Sequence, residues 1–277
     1  MSYADKIFIK NCTEILKDGY WDTNQTVRPK WGDDNTPAHT IKKFGIINEY
    51  DLSNEFPIMT LRKINYKAAI DELLWIWQKK SNDVRDLSSG IWNAWANEEH
   101  TIGKAYGYQL GIKHKYSEGM FDQVDRVLYD LKHNPYSRRI LTNIYTFEDL
   151  HEMELYPCAY SMTFNVTGKK LNAILNQRSQ DMMVANNWNV CQYAVLVHML
   201  AQVSGLKVGK LIHVIADAHI YDRHIPLIEE LISRQPLGSF DLKIDKSIDD
   251  FYKFTVDSFE IEYYNYYEFK DKIQVAV

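Results

Sequence analysis

Polar and apolar residues alternate in two neighbouring stretches near the middle of the chain. Apolar residues take every second position of 162–166 (MTFNV), and the sequence TGKK that follows is typical of a tight turn. A second strand-like run covers residues 171–177, so the pattern predicts a β-hairpin. Because the outer ends of two antiparallel strands lie side by side, we expect Cys158 to lie next to residues 178–181.

Helical spacing of apolar residues marks five other segments. The predicted helices cover residues 3–18, 66–80, 119–132, 190–203 and 225–233. Further strands are predicted at residues 41–50, 58–61 and 211–215. The helices at 66–80 and 190–203 are apolar around most of their circumference, so we expect both to be buried. The polar segment 20–40 is predicted to form a surface loop, and the apolar end of the chain is predicted to fray.

The composition is typical of a globular domain with an ordinary share of charged residues. Its 277 residues are 45% hydrophobic and 25% charged, without internal repeats or a linker, which predicts a single domain over residues 1–277. The net charge of −5 provides no basic field for nucleic acid or for an anionic membrane. No stretch approaches about 18 uncharged apolar residues, and the first residues lack a signal-peptide pattern, so we expect a cytoplasmic protein.

Three cysteines form an odd set. Cys12, Cys158 and Cys191 lack the spacing of metal ligands, so neither a zinc site nor a disulfide framework is expected. Cys12 and Cys191 fall inside predicted helices, where a small core residue is the simplest interpretation. Cys158 differs, because the predicted hairpin places it beside Arg178 together with a hydroxyl and a carboxylate. A guanidinium favours the thiolate form of a nearby cysteine, so Cys158 is a candidate nucleophile.

Three other positions have both a structural and a functional interpretation. Glu72 lies inside the apolar helix predicted at 66–80, where a carboxylate is costly unless it is paired or used. It is either one half of a buried ion pair or a catalytic acid/base with a raised pKa. Trp92 and Trp95 are either packed in the core or displayed by a loop as exposed rings on which a flat ligand could stack.

Polar residues elsewhere allow similar alternatives. Arg28 lies in the polar loop and is either solvated or functional. The adjacent Arg138 and Arg139 stand at the start of a strand, where they either point into solvent or offer forked donors to a phosphate. The sequence DAHIY at 217–221 ends a strand, so its Asp, His and Tyr share one face and can contact a ligand.

Nine short motifs occur in an order and at spacings that resemble the folate-dependent thymidylate synthase family. They are DELLWIWQ (71–78), IW..W (91–95), AYG (105–107), SRRI (137–140), YPC (156–158), NQRSQD (176–181), WNV..Y (188–193), DAHIY (217–221) and VAV (275–277). The resemblance extends from Arg28 to Val277. It implies an α+β fold in which helices flank a large mixed β-sheet and one face of the sheet is used for dimerisation.

The resemblance also implies an activity, the reductive methylation of dUMP to dTMP. The compound 5,10-methylenetetrahydrofolate would supply both the carbon and the hydride and leave dihydrofolate, and no metal would be required. Cys158 would add to C6 of the uracil ring, which makes C5 nucleophilic. Asn189 would donate to O4 and accept from N3–H, which distinguishes uracil from cytosine. The other catalytic residues that the resemblance implies are Glu72, Tyr106 and Arg178.

The same resemblance assigns residues to the two ligands. Those implied to bind dUMP are Arg28, Arg138, Arg139, Arg178, Ser179, Asp181, Asn189, His219 and Tyr221. Those implied to contact the folate are Trp92, Trp95, Asp181 and Val277, the last as a mobile tail. Arg138 and Arg139 are similar to a pair that reaches the active site of the partner subunit, so a homodimer is expected.

Several positions depart from the family pattern, and the chemistry of the residues allows other functions. The departures are Asn65, Asn93, Ala159 and the pair Ile215-Ala216. A hydroxymethylase of dUMP or dCMP on the same scaffold is the nearest alternative, although the dCMP enzyme would need Asp at position 189. A cysteine phosphatase would need its arginine and thiol on one short loop. A nucleotide- or RNA-binding protein without turnover would have no use for the thiol, and the negative charge disfavours it.

Overall fold

A six-stranded mixed β-sheet is the largest element of the computed structural model, which describes residues 2–271 and 273–277. The strands in these residues are β1 Tyr20–Trp21, β2 Thr40–Asp51, β3 His114–Tyr116, β4 Gly119–Phe121, β5 Leu141–Asn143, β6 Ala159–Thr167, β7 Lys170–Asp181, β8 Lys207–Tyr221, β9 Leu242–Ile244 and β10 Phe259–Ile261. The large sheet has the order β1-β2-β8-β7-β6-β5, in which β7 and β8 are parallel and the other neighbours are antiparallel. The strand pairs β3–β4 and β9–β10 lie outside it.

Helices cover one face of this sheet. The α-helices in the described residues are α1 Tyr3–Asp18, α2 Tyr66–Trp77, α3 Gly107–Gly111, α4 Gln123–His133, α5 Asn186–Val203 and α6 Ile225–Ser233. The helix α5 connects β7 to β8 and packs on both, because it is apolar around most of its circumference. In turn α2 packs on α5, and α1 packs on β2 and α6. None of these helices is long and apolar enough to cross a membrane.

Most predicted elements are confirmed. The strands β6 and β7 form the predicted hairpin around Gly168, whose φ of 61° suits glycine in a tight turn. The helices predicted at 3–18 and 225–233 have those bounds. The helix α2 ends at Trp77, and α5 begins at Asn186, so the centres of these two predictions are confirmed and their bounds are shifted.

The helix predicted at 119–132 begins only at Gln123, so its predicted start is wrong. Residues 119–121 form β4, and Gly119 has a φ of 144°, which favours glycine and is not helical. Asp122 then caps α4, because its side chain accepts a hydrogen bond from the backbone N–H of Asp125 at 2.9 Å. The apolar residues of β4 continue the helical spacing although they belong to a strand.

No strand forms at residues 58–61, so that prediction is wrong. The segment is buried, but side chains rather than a neighbouring strand pair with its backbone. The N–H of Thr60 donates to Asp5 at 2.8 Å, and the N–H of Met59 donates to Asn187 at 2.8 Å. These buried side chains take the place of a partner strand, because buried backbone groups need some partner.

The end of the chain is held in place, so the predicted fraying is wrong for residues 275–277. Lys30 and Val277 exchange backbone hydrogen bonds, with N···O distances of 2.8 Å and 3.1 Å. Ala276 is buried in a small cluster with Trp31 and Ala38. The apolar tail is therefore ordered by the loop that precedes β2.

The second face of the large sheet is open and partly apolar. Along β7, Ala173 and Leu175 are buried on the helix-covered face, whereas Ile174 between them is 38% exposed. On β2, Phe44 and Ile47 are 85% and 70% exposed. Exposed apolar side chains on two strands of one sheet face are typical of a surface that another molecule covers.

Candidate active site

The outer ends of β6 and β7 meet as the hairpin predicts. The N–H of Arg178 donates to the carbonyl of Cys158 at 3.0 Å, and Arg178 Nη2 lies 3.7 Å from Cys158 Sγ. The same guanidinium donates through Nε to Pro157 O at 3.1 Å and through Nη2 to Tyr156 O at 2.7 Å. Two carbonyls of the segment that carries the thiol therefore hold the guanidinium beside the sulfur.

Burial and charge act in opposite directions on Cys158. Burial raises the pKa of the thiol above its ordinary value, because it disfavours the charged thiolate. The positive charges of Arg178 and Arg28 lower this pKa, but by less than burial raises it. The effect expected from Arg178 is confirmed in sign, yet the net shift of the pKa is upward.

Tyr106 is hydrogen-bonded to the residue that carries the thiol. Its hydroxyl oxygen accepts from the N–H of Cys158 at 3.1 Å, and burial raises the pKa of Tyr106, so the hydroxyl keeps its proton. Tyr106 has a φ of 47° and a ψ of −105°, which costs a residue with a side chain about 1–3 kcal/mol. Gly107 packs so closely that a Cβ there would lie 2.3 Å from the carbonyl oxygen of Ser81. Packing of the AYG motif therefore places the hydroxyl.

Glu72 is buried and accepts hydrogen bonds on both carboxylate oxygens. The donors are Trp92 Nε1 at 2.8 Å, Trp188 Nε1 at 2.5 Å and Gln192 Nε2 at 2.7 Å. All three donors are neutral, and no lysine or arginine of the described chain forms an ion pair with Glu72, so the ion-pair alternative is wrong. Burial raises the pKa of Glu72, and the three donors reduce this rise without cancelling it, which confirms the predicted direction.

Trp92 and Trp95 differ in exposure. Trp92 is 7% exposed, and its ring centroid lies 6.0 Å from that of Trp75 and 5.0 Å from that of Tyr106. The core-packing alternative is therefore confirmed for Trp92, and its N–H satisfies the buried Glu72. Trp95 is partly exposed, and its ring meets that of Trp92 edge-on at 5.8 Å.

The carboxamide of Asn189 is held from both sides. Gln177 Nε2 donates to Asn189 Oδ1 at 3.3 Å, and Asn189 Nδ2 donates to Gln192 Oε1 at 3.0 Å. Gln177 Oε1 in turn contacts Nε2 of the buried His213. Sequence reasoning assigned no role to Gln177, Gln192, His213 or Trp188. A usable signal exists for Gln192, which lies three residues after Asn189 and hence on the same side of a helix.

The ends of the parallel strands β7 and β8 lie side by side. Their pairing places Ser179 opposite Asp217 and Asp181 opposite His219. His219 Nδ1 lies 2.8 Å from Asp217 Oδ1, and the rings of His219 and Tyr221 are 5.2 Å apart. The predicted common face of the DAHIY sequence is confirmed, and it adjoins the end of β7.

Asp181 also stabilises the turn that leads into α5. Its Oδ1 accepts hydrogen bonds from the N–H of Met183 at 2.8 Å and from the N–H of Val184 at 3.0 Å. One carboxylate oxygen is therefore committed to the fold, and the other can bind a ligand.

Arg28 and the end of the chain belong to one loop-and-tail unit. Arg28 is exposed two residues before Lys30, whose backbone pairs with Val277. The charge of Arg28 lowers the pKa of Cys158 and of Tyr221, against the raising effect of burial on both. The charge of Arg28 therefore acts on Cys158, just before β6, and on Tyr221 at the end of β8.

Arg138 and Arg139 are exposed just before β5, on the edge of the sheet. The strand β6 separates β5 from β7. Within residues 2–271 and 273–277, neither guanidinium forms a hydrogen bond or an ion pair; the backbone N–H of Arg139 donates to Ser137 Oγ at 3.2 Å. A single chain does not join these two side chains to the other site residues.

The assembled groups combine a nucleophile, an oriented carboxamide and a buried acid. Cys158 can add to an electron-poor carbon, and Asn189 can donate to an oxygen on which negative charge then develops. Glu72 can exchange a proton at a pH closer to neutrality than an ordinary carboxyl group, because its pKa is raised. In the part of the chain that the structure describes, no group of three or more His, Cys, Asp or Glu residues is placed to hold a metal ion.

Comparisons with known proteins agree with this arrangement. The family model described as thymidylate synthase matches residues 6–277. Thymidylate synthase of Bacillus licheniformis is 43% identical over 281 residues, and the alignment covers 100% of both chains. Thymidylate synthase of Bacillus subtilis subsp. natto is 42% identical over 270 residues, which are 96% of each chain.

The fold agrees as well. The solved structure of thermostable thymidylate synthase A from Bacillus subtilis superposes with a TM-score of 0.93 at 41% identity, over 99% of each chain. The expected α+β fold with a large mixed sheet is confirmed by this match. A family match over nearly the whole chain and relatives above 40% identity lead to one conclusion. This chain belongs to the thymidylate synthase family.

Proposed function

We propose that the chain catalyses the reductive methylation of dUMP to dTMP. The donor of both carbon and hydride is 5,10-methylenetetrahydrofolate, and dihydrofolate is the second product. The observation that carries the proposal is the contact between Cys158 Sγ and Arg178 Nη2 at 3.7 Å, in a site that also holds Glu72 and Asn189. Tyr106 links the two halves of this site, because it contacts both Cys158 and the ring of Trp92.

Cys158 is the nucleophile in this proposal. C5 of uracil reacts poorly with a methylene donor, and addition of a thiolate at C6 moves electron density onto C5 and O4. Because burial raises the pKa of the thiol, the thiolate needs a neighbouring cation, and Arg178 at 3.7 Å supplies it. Tyr106 accepts from the N–H of Cys158 and keeps its own proton, so its hydroxyl assists removal of the C5 proton through a hydrogen bond.

Asn189 reads the base and stabilises the adduct. Its Nδ2 donates to O4, where negative charge develops, and its Oδ1 accepts from N3–H. Both atoms already have one protein partner, at 3.0 Å and 3.3 Å, and an amide group has a second N–H and a second lone pair for the base. Glu72 acts as the acid/base at O4 and at the folate nitrogens, since its raised pKa keeps a proton available.

The nucleotide's phosphate and sugar are assigned to the ends of the strands and the polar loop. Arg178 uses Nε and Nη2 on two carbonyls and the sulfur, so the two N–H groups of Nη1 remain for a phosphate oxygen. Arg28 and Ser179 complete the phosphate site within one chain. His219 and Tyr221, whose rings are 5.2 Å apart, hydrogen-bond the 3′-hydroxyl of deoxyribose.

The folate co-substrate is assigned to the surface around the partly exposed Trp95, whose ring packs on the buried Trp92. A cavity of about 320 Å³ adjoins this surface and is lined by Val84, Arg85, Asn93, Ala96, Asn97 and His100. Asp181 binds the pterin through the carboxylate oxygen that the turn leaves unused. Val277 closes the site from the docked tail.

The open face of the large sheet supports the proposal of a homodimer. Ile47 and Ile174 are 70% and 38% exposed on that face. Arg178 lies four positions after Ile174 on β7, so alternation directs its side chain to the same face. A second copy of the chain on this face brings its exposed Arg138 and Arg139 towards Arg178 and the phosphate.

The hydroxymethylase alternative receives no support from the comparisons, because the relatives are named thymidylate synthase. Asn189 also stands where a dCMP enzyme would need aspartate. A cytoplasmic location stays a prediction from the sequence.

To test the proposed function, the purified chain is incubated with dUMP and 5,10-methylenetetrahydrofolate, and the formation of dihydrofolate (by absorbance) and of dTMP is measured. Cys158→Ser should lose at least about a thousandfold in kcat, because a hydroxyl is a far weaker nucleophile than a thiolate, while Kd for dUMP changes little. Cys12→Ser, at a buried cysteine on α1, is the matched control and should retain the parental kcat. Appreciable methylation by Cys158→Ser would contradict the assignment of the nucleophile.

A further inference from the structure

Five polar side chains form a continuous series of hydrogen bonds inside the site. In order they are His213, Gln177, Asn189, Gln192 and Glu72. Gln192 is 3% exposed and uses both ends of its carboxamide: Nε2 donates to Glu72 at 2.7 Å, and Oε1 accepts from Asn189 Nδ2 at 3.0 Å. It is therefore the direct link between the proposed base reader and the proposed acid/base.

The carboxylate at one end determines the direction of the whole series. When Glu72 is ionised it only accepts hydrogen bonds, so in that state Gln192 must turn its amino group to Glu72 and its oxygen to Asn189. Asn189 must then present Nδ2 to Gln192 and leave Oδ1 for Gln177. The orientation of the Asn189 carboxamide thus follows from donor and acceptor chemistry.

The histidine at the other end is compatible with the same direction. His213 is fully buried, and burial lowers its pKa to about 3, so its ring is neutral. Its Nε2 faces Gln177 Oε1, whereas its Nδ1 has no hydrogen-bond partner within the described residues. The ring proton on Nε2 therefore points at Gln177, and Gln177 Nε2 points at Asn189.

We propose that Gln192 is a positioning residue that sets the orientation of the Asn189 carboxamide and thereby the preference for uracil over cytosine. The proposal rests on the proposed function, in which Asn189 reads the base. In the observed orientation, Nδ2 can donate to O4 and Oδ1 can accept from N3–H, which is the pattern of uracil. A flipped carboxamide would accept where cytosine donates from N4 and donate where cytosine accepts at N3, so it would favour the wrong base.

Gln192→Met removes both hydrogen bonds at nearly constant volume. The ratio of Kd for dCMP to Kd for dUMP should fall about tenfold, because one hydrogen bond no longer holds Asn189 in its orientation. Glu72 loses one of its three donors, so its pKa rises further and the limb of the kcat–pH profile that reports it moves to higher pH. The other ionisable groups that act on Glu72 are Asp71, Tyr106 and Tyr193, and burial raises the pKa of both tyrosines, which stay neutral.

Gln192→Glu separates the two effects. A glutamate still accepts from Asn189, so the Kd ratio should stay parental, but two carboxyl groups now face each other and the pH limb should move upward. Gln202→Met is the matched control on the same helix. The side chain of Gln202 bonds the carbonyls of Asp245 and Ile248 at 2.8 Å each, so both readouts should remain parental in that variant.

The outcomes distinguish this inference from the proposed function. A parent protein that forms no dihydrofolate would overturn the proposed function. An active parent with an unchanged Kd ratio and pH profile in folded Gln192→Met would overturn the positioning role alone. If Gln192→Met does not fold, Gln192→Glu decides: loss of discrimination, or an unmoved pH limb, would overturn the role.

Discussion

At the residue scale, Cys158 and Glu72 are both acids whose pKa is raised by burial, but their neighbours differ in charge. Cys158 contacts the guanidinium group of Arg178, and the charges of Arg178 and Arg28 oppose the rise. Glu72 faces neutral indole and amide donors, and the nearby charge of Asp71 adds to its rise. Cations favour an anionic nucleophile, and neutral donors leave a carboxyl group able to keep its proton. The two environments therefore suit the two proposed roles.

The rate of alkylation by iodoacetamide measures how far the arginine charges offset the effect of burial on the pKa of Cys158. Because its pKa is raised, the rate should keep increasing as pH passes the ordinary thiol value of about 8.5. Arg178→Leu removes the guanidinium that lowers the pKa of Cys158 more than Arg28 does. The alkylation rate at about pH 8 should therefore fall about tenfold, which corresponds to a rise of about one pKa unit. Cys158→Ser supplies the background from the buried Cys12 and Cys191.

Arg85→Leu is the matched control for this measurement. Arg85 is an exposed arginine paired with Asp83, and it does not contribute to the pKa of Cys158. Its substitution should leave the alkylation rate unchanged. Equal rates for Arg178→Leu and the parent would show that the guanidinium at 3.7 Å does not act on the sulfur.

At the element scale, the turn into α3 has no room for a side chain at Gly107. A Cβ there would lie 2.3 Å from the carbonyl oxygen of Ser81, a backbone atom that cannot move away by itself. Tyr106, the preceding residue, has a φ of 47° and holds its hydroxyl on Cys158. The close approach of two backbone segments therefore positions a proposed catalytic group.

Gly107→Ala should lower the free energy of unfolding by about 1–3 kcal/mol, the usual cost of overpacking, as measured by urea denaturation. It should also lower kcat, since Tyr106 must shift. Gly32→Ala is the matched control, because no atom lies within 4 Å of a Cβ built at Gly32. If Gly107→Ala and Gly32→Ala have the same free energy of unfolding, the turn accommodates the added methyl group without cost, and the close contact does not position Tyr106.

At the scale of the whole molecule, the proposal that a second chain completes the site rests on the open sheet face and on Arg138 and Arg139. Phe44 and Ile47 are among the most exposed apolar residues of the chain and lie on a strand of that face. Arg138 and Arg139 are exposed at the edge of the same sheet. In the proposed two-fold dimer, each chain places this pair near the site of the other chain.

Mixing two inactive variants tests this sharing. After subunit exchange between Cys158→Ser and an Arg138→Ala/Arg139→Ala double variant, half of the dimers are hybrids, and one of the two sites in each hybrid is intact. Activity should therefore recover to about one quarter of the parental value. Exchange between Cys158→Ser and Cys158→Ala is the control and should restore nothing. Exchange without recovery would place both arginines outside the partner's site.

Local patterns determined the parts of the molecule whose partners are close in sequence. The hairpin β6–β7 was predictable because a short turn joins its strands, and with it the meeting of Cys158 and Arg178. The helices α1 and α6 were predictable because apolar spacing reports which side of a helix is buried. The order of the nine motifs predicted the family, which the comparisons confirm.

Only the tertiary structure decided which buried polar groups pair with one another. The donors to Glu72 lie 20, 116 and 120 residues away in sequence, and no periodicity encodes such contacts. For the same reason, the sequence could not predict that residues 58–61 form no strand or that Val277 docks on Lys30, since the partners of both segments are distant in sequence. Spacing along a chain specifies the face on which a side chain lies, whereas the fold alone brings two faces together.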